Sequence, residues 1–121
     1  MDWIIFLITV ILFFAYIFLR RKGQISADAA VAQLKRGALL IDVRSPVEFS
    51  TGHLNGAINI PLQQIEDLIA THVKHQGQVI LLHCQSGARS GMARNRLAAL
   101  GYTQVYNLGS YDRAAHIVNR V

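Results

Sequence analysis

Residues 78–90 have the sequence QVILLHCQSGARS, in which an unbroken apolar run leads into a short polar segment. The run from 78 to 82 predicts a strand buried on both faces, the kind found in parallel sheets. The residues after Ser90 predict a helix that reaches Leu100 and ends at Gly101. The segment that contains Cys84 is therefore a loop between a buried strand and the start of a helix.

The same alternation of apolar runs and helical segments extends over the rest of the chain. The patterns predict helices over residues 27–36, 62–73 and 111–121, a helical turn over 47–50, and strands over 38–41, 57–60 and 105–108. Strands alternating with helices indicate an α/β fold with a parallel sheet that is covered on both sides. Ligands bind beyond the carboxyl ends of the strands in such a sheet, which is where Cys84 lies.

An uncharged apolar stretch over residues 3–19 comes before this region. As a helix it would be roughly 25 Å long, near the length that crosses the hydrocarbon core of a bilayer. A cleaved signal peptide is the alternative, but it needs a basic leader and a small-residue cleavage site, whereas the leader here is Met1-Asp2. We therefore expect a transmembrane anchor with its basic flank over residues 1–22 and one globular domain over residues 23–121.

Charge predicts the orientation of this anchor and excludes one class of partner. Arg20, Arg21 and Lys22 follow the apolar stretch, and cations on that side favour a single-pass topology with the domain in the cytoplasm. The stretch 3–19 would contact the lipid bilayer. The net charge is +5, but the domain has no basic run with interleaved aromatic residues, so we expect no binding to nucleic acid.

Cys84 is the single cysteine of the chain, so it cannot form an internal disulfide. Main-chain N–H groups at the start of a helix have no carbonyl partners and, with the helix dipole, they stabilise an anion. A thiol placed there is expected to be partly a thiolate at neutral pH. Arg89 adds a positive charge suited to an oxyanion substrate. The alternative is an inert cysteine that only packs in the core.

Five segments of the chain resemble the rhodanese domain, in that family's order and spacing. They are residues 40–44 (LIDVR), 48–49 (EF), 52–54 (GHL), 56–61 (GAINIP) and 83–90 (HCQSGARS). The resemblance covers roughly residues 24–110. It implies a five-stranded parallel sheet with helices on both sides and a catalytic Cys84 that carries sulfur as a persulfide. The loop that would bind substrate is made of Gln85, Ser86, Gly87, Ala88, Arg89 and Ser90.

The resemblance also implies a reaction. The Cys84 thiolate would attack the outer sulfur of a small-molecule donor such as thiosulfate and release sulfite, and the acceptor would be cyanide, a thiol or a protein. Splitting one transfer into two steps in this way is covalent catalysis. The chemistry needs no metal and no organic cofactor.

Two other functions remain as alternatives. A phosphatase or arsenate reductase is disfavoured because four residues, not five, separate Cys84 from Arg89, and the smaller loop suits a single sulfur atom. A membrane-tethered binding module without turnover is the second alternative.

Four residues outside the loop are predicted to support it. Asp42 and Arg44 end the first strand and are expected to form an ion pair or loop anchor, because a buried carboxylate needs partners. Glu48 and His53 are expected to fix loops. His53 has no neighbouring ligands in the sequence, so no metal site is predicted.

Overall fold

The computed structural model describes residues 1–21 and 23–121, and it describes the side chains of all of these except residues 20 and 21. The helices are α1 (Asp2–Arg21), α2 (Ala27–Lys35), α3 (Pro46–Thr51), α4 (Ile65–His72), α5 (Ala88–Ala99) and α6 (Tyr111–Val118). A 3₁₀ turn at Leu62–Gln64 precedes α4. The strands are β1 (Leu39–Asp42), β2 (Ile58–Asn59), β3 (Ile80–His83) and β4 (Val105–Gly109). The predicted α/β alternation is thus confirmed.

The four strands form one parallel sheet in the order β2-β1-β3-β4. The central strand β3 lies between β1 and β4, with Asp42 opposite His83 and Leu82 opposite Asn107. Because all strands point the same way, the residues that follow β1, β3 and β4 emerge at the same edge of the sheet. Cys84 is the first residue after β3 at this edge.

Alternate residues of the strands face two separate cores, as the pleat of a strand requires. Ile41, Leu82 and Cys84 pack against α4 and α5. Leu40 and Leu81 pack against α2 and α6 on the opposite face. The sheet is therefore covered by helices on both sides, as predicted, and Cys84 faces the α5 side.

The sheet has four strands within the described residues, not the five that the family resemblance implied. A single parallel bridge from Gln24 to Asn107 lies beside β4, at the outer edge of the sheet. A strand does not develop there because Ser26 already caps α2 through a hydrogen bond from the Ala29 N–H to its hydroxyl. Too few residues lie between Gly23 and this cap to extend the pairing.

A buried ion pair fixes the end of β1. The guanidinium of Arg44 contacts the Asp42 carboxylate at 2.8–3.0 Å and donates a hydrogen bond of 2.7 Å to the Gly52 carbonyl. Its cationic carbon lies 4.7 Å from the centre of the Tyr111 ring. The prediction of an ion pair at Asp42 and Arg44 is therefore met by the observed geometry. The pair joins β1, the loop at Gly52 and α6.

The apolar helix α1 is long and apolar enough, over Asp2–Leu19, to cross a membrane, and none of this span is buried. A signal sequence would satisfy the same criterion. Lys22, part of the predicted basic flank, lies outside the described residues. The Gly23 carbonyl accepts a hydrogen bond of 2.8 Å from the Asn107 N–H, so that Gly23 is held against β4. The Arg113 guanidinium donates to the carbonyls of Ile25 and Leu108, at 2.7 Å each.

Replacing Asp42 by alanine tests the buried ion pair. Removing one partner leaves the Arg44 charge buried without compensation, which should lower the free energy of unfolding by about 3–5 kcal/mol. Urea unfolding of the full chain in detergent, followed by circular dichroism, measures this change. The control is Asp67→Ala on the exposed face of α4, where the loss should stay below about 1 kcal/mol. Equal losses in the two variants would contradict the prediction.

Candidate active site

The loop between β3 and α5 is shaped by contacts with β4. The Cys84 N–H donates to the Gly109 carbonyl at 3.3 Å, which holds the loop against the end of β4. Gly87 has a φ of +96°, a left-handed conformation that favours glycine, and a Cβ there would lie 3.2 Å from the backbone of Gly109. The loop therefore needs glycine at position 87 for two reasons, its backbone conformation and its close approach to β4.

The Cys84 sulfur is buried and lies inside this loop. Its Sγ accepts a hydrogen bond of 3.0 Å from the Gly87 N–H, and the Ser90 hydroxyl lies 3.5 Å away. Burial raises the pKa of the Cys84 thiol, but hydrogen bonds from Ser90, Gly87 and Ser86 outweigh it, so that the pKa lies below its ordinary value. The loop thus stabilises the thiolate inside a core that would otherwise keep the thiol neutral.

Asn107 holds the loop from the neighbouring strand, a role that the sequence analysis did not assign. Its Nδ2 donates to the Gly87 carbonyl at 3.1 Å, and its Oδ1 accepts from the Gly109 N–H at 2.8 Å. The Gly87 carbonyl thus contacts Asn107, and the N–H of the same residue contacts the sulfur. One signal was available in the sequence, because adjacent parallel strands end at the same edge and Asn107 stands near the end of its strand.

An ion pair between Arg89 and Glu48 forms one side of the loop. The two guanidinium nitrogens contact the two carboxylate oxygens at 2.6 and 3.0 Å, and both side chains are about 35% exposed. The Arg89 guanidinium holds the pKa of Glu48 at about 2. Glu48 also closes a capping box with Ser45 at the start of α3. Arg89 is therefore bound to α3, a contact that the sequence pattern did not predict.

The remaining predicted residues are divided between the loop and more distant positions. Gln85, Ser86 and Ala88 are exposed on the outside of the loop, and the Gln85 carbonyl accepts from the Tyr111 N–H at 3.2 Å. His53 is exposed and stacked on Phe49, with 3.8 Å between the ring centres.

Asp42 and Arg44 belong to the core on the α6 side of the sheet, with His83. Burial lowers the pKa of the His83 imidazole, although Asp42 opposes this, and the Nε2 atom lies 3.8 Å from the Asp42 carboxylate. His83 and Cys84 are neighbours in sequence on opposite faces of the strand. A general-base role for His83 toward the sulfur is therefore disfavoured by the geometry.

The arrangement combines a nucleophilic sulfur with N–H and O–H donors in a water-poor setting. Donors fixed in advance stabilise charge on a sulfur or on an atom bonded to it. Among the described residues, no group of three or more histidine, cysteine, aspartate or glutamate side chains is placed to hold a metal ion. The hydrogen bond from the Gly87 N–H and the lowered pKa of the thiol make Cys84 suited to covalent chemistry.

Replacing Ser90 by alanine tests the stabilisation of the thiolate. Loss of this donor should raise the pKa of Cys84, because the hydrogen bond from Ser90 stabilises the thiolate and not the neutral thiol. Since the thiolate forms above the pKa, the rate of iodoacetamide alkylation should rise at a higher pH than in the unchanged protein. The control is Ser50→Ala on α3, whose hydroxyl donates to the Val47 carbonyl. An unchanged pH profile in Ser90→Ala would contradict the assignment.

The sequence matches a family model across the whole sheet. The model for the rhodanese-like domain matches residues 26–114. The chain is 42% identical over 69 residues to thiosulfate sulfurtransferase PspE of Escherichia coli, a match that covers 57% of this chain and 66% of that protein. It is 36% identical over 104 residues to thiosulfate sulfurtransferase 16 of Arabidopsis thaliana, which covers 77% of this chain and 87% of that protein.

Solved structures show the same similarity. A rhodanese from Escherichia coli, determined with anions, superimposes with a TM-score of 0.62 at 38% identity and covers 64% of this chain and 91% of its own. The human single-domain sulfurtransferase TSTD1 superimposes with a TM-score of 0.67 at 27% identity, covering 78% of this chain and 96% of its own.

Proposed function

The chain belongs to the rhodanese-like family, and we propose that it is a membrane-anchored sulfurtransferase that moves sulfane sulfur through Cys84. The observation that carries this proposal is the contact of 3.0 Å between the Gly87 N–H and the Cys84 sulfur, in a loop that lowers the pKa of the thiol. The similarity to thiosulfate sulfurtransferases supports the same chemistry.

The first step loads sulfur onto the enzyme. The Cys84 thiolate attacks the outer sulfur of thiosulfate and forms a new S–S bond. The S–S bond of the donor breaks, and its electron pair leaves with sulfite. The product is the persulfide Cys84–S–S⁻, so that the charge of the nucleophile moves to the outer sulfur.

The second step transfers the outer sulfur of the persulfide to an acceptor. An acceptor thiolate, or cyanide, attacks the outer sulfur and takes it, and the electron pair of the broken S–S bond returns to Cys84 as a thiolate. No net oxidation or reduction of the enzyme occurs over the cycle. In both steps negative charge stays within reach of the loop donors, the kind of preorganised stabilisation that contributes about 2.7–4 kcal/mol per donor in other enzymes.

Gln85, Ser86 and Ala88 supply the outer wall of this loop and would meet the donor or acceptor. Arg89 has five N–H donors, and two of its nitrogens face Glu48, so it keeps further donors for the anionic end of thiosulfate. Glu48 thus holds Arg89 in one orientation. His53 stabilises the loop that follows α3 and takes no part in the transfer.

The proposal includes a membrane anchor, with a boundary to the domain and an orientation. We place the boundary at residues 22 and 23, because α1 ends at Arg21 and Gly23 is already bonded to β4. The cluster Arg20, Arg21 and Lys22 favours a cytoplasmic domain, and the apolar span 3–19 would contact the lipid. The cytoplasm also suits a chain with a single free thiol.

Incubation with thiosulfate, followed by mass spectrometry of the intact protein, tests the proposed function. One outer sulfur should add about 32 Da to the chain, because the transfer leaves a persulfide at the nucleophile. The Cys84→Ser variant should show no gain and no turnover while keeping its circular dichroism spectrum, since the exchanged atom is small. A protein that gains no mass with any sulfane donor would instead be a binding module. Hydrolysis of a phosphate ester without mass gain would favour the phosphatase alternative.

Arg89→Ala tests the contact with the anionic donor. Loss of a charged donor to thiosulfate should raise the KM about tenfold, the equivalent of about 1.4 kcal/mol. The effect on folding should be smaller, because the ion pair with Glu48 is about 35% exposed. The matched control is Arg96→Ala on α5, whose side chain lies 3.7 Å from the exposed Glu66. Since the pKa of Glu48 is about 2, the difference between the variants should stay constant from pH 5 to pH 8. Unchanged thiosulfate kinetics in Arg89→Ala would refute the role of Arg89.

A further inference from the structure

We propose that the Cys84 loop is held at the surface of the bilayer and serves an acceptor thiol in the juxtamembrane segment of another membrane protein. This inference rests on the proposed function and on the anchor, and it specifies which acceptor the site can reach.

Gly23, which is four positions beyond the apolar span, is held in the domain by backbone and side-chain contacts. The Gly23 carbonyl is bonded to the Asn107 N–H at 2.8 Å, and Gln24 bridges the same residue. The Arg94 side chain packs so closely on Gly23 that a Cβ at this position would overlap it. Gly23 is therefore a fixed part of the domain, and the connection to the membrane begins there.

The length of the chain between the apolar span and Gly23 limits the distance between the domain and the membrane. Gly23 follows Leu19, the last residue of the apolar span, by four positions. Four residues extend to at most about 14 Å, whatever the tilt of α1. The headgroup region of a bilayer is about 5–8 Å thick on each side. Gly23 thus lies in the headgroup region or just outside it.

A short hydrogen-bonded path leads from Gly23 to the sulfur. It runs from the Gly23 carbonyl through Asn107 to the Gly87 carbonyl at 3.1 Å, and from the Gly87 N–H to Cys84 Sγ at 3.0 Å. This path spans no more than about 20 Å, given ordinary bond lengths and hydrogen bonds. The two distances together place the nucleophile within about 34 Å of the last residue of the apolar span.

A groove follows this path along α5. It consists of two adjoining cavities of about 240 and 580 Å³, and it extends from Leu19 to the outside of the loop at Ser86 and Ala88. Both cavities are lined by the side chains of Gln24, Asn95 and Asn107.

The lining favours a peptide segment over a lipid headgroup. Amide side chains offer donors and acceptors together, which match the peptide groups of an extended chain. A phosphate would require cations, and Arg94 is the one cation among the described lining residues. It already donates to the Val105 carbonyl at 3.3 Å.

Confinement to the same membrane would favour such a partner strongly. Two groups held at one surface meet at an effective concentration set by their tethers, which reaches the millimolar range for short tethers. A soluble anionic acceptor gains nothing from the anchor, and the negative potential of a cytoplasmic leaflet repels it. The geometry therefore selects an acceptor that is presented by the membrane.

The test uses the full chain in phosphatidylcholine vesicles, loaded with sulfur by thiosulfate. The acceptors are synthetic transmembrane peptides with one cysteine, placed either three residues beyond the apolar span or after a 30-residue Gly-Ser spacer, and a soluble peptide with the same cysteine segment. Mass spectrometry of the peptides measures the rate of sulfur transfer. We expect the near cysteine to react at least fivefold faster than the distant one and at least tenfold faster than the soluble one.

A variant with 30 Gly-Ser residues inserted between Lys22 and Gly23 is the matched control. It should lose the preference for the near cysteine but transfer sulfur to 2-mercaptoethanol at the unchanged rate. Equal rates for near, distant and soluble cysteines in the unchanged chain would overturn the proposal. Faster transfer to a vesicle lipid with a thiol headgroup than to the near peptide would also overturn it, in favour of lipid. Failure to load sulfur at all would instead refute the proposed function itself.

Discussion

The parallel pairing of β3 between β1 and β4 is the constraint on which the site depends. It brings the ends of three strands to one edge, so that the Cys84 N–H meets the Gly109 carbonyl and Asp42 lies opposite His83. Were β4 antiparallel, its end would lie at the far edge of the sheet and Asn107 could not hold Gly87. The donors around the sulfur are thus a product of strand direction as much as of the loop sequence.

The pleat of β3 places the side chains of the adjacent residues His83 and Cys84 on opposite faces of the sheet, where they have different roles. His83 joins the buried polar cluster of Asp42 and Arg44 on the α6 side, which stabilises the loops at this edge. Cys84 projects toward α5, where loop donors replace water around its sulfur. Because His83 and Cys84 face opposite ways, the ion pair of Asp42 and Arg44 and the reactive thiol lie at the same edge of the sheet without neutralising each other.

The local parts of this arrangement could be predicted from the sequence, whereas the long-range contacts could not. The alternation of apolar runs gave the α/β fold, and the strand–Cys–Gly–helix pattern located the loop, because both depend on residues that are close in sequence. The pairing of Arg89 with Glu48 joins residues 41 positions apart, and that of Asn107 with Gly87 joins residues 20 positions apart. Hydropathy carries no information about such partners. The fifth strand was expected from the family and is reduced to one bridge, because the cap of α2 at Ser26 follows it so closely.

The closure of Gly23 onto Asn107 has a consequence for biosynthesis. Gly23 and Asn107 are 84 positions apart in the sequence, and Ile25 and its donor Arg113 are 88 positions apart. Because these contacts join the beginning and the end of the domain, its sheet cannot be completed until nearly all of the domain has been synthesised. Strands that lack their partners are exposed for several seconds in the meantime, at a synthesis rate of about 5–20 residues per second. Until Asn107 and Arg113 have been synthesised, the earlier strands of the nascent domain therefore keep open edges, which are prone to aggregation.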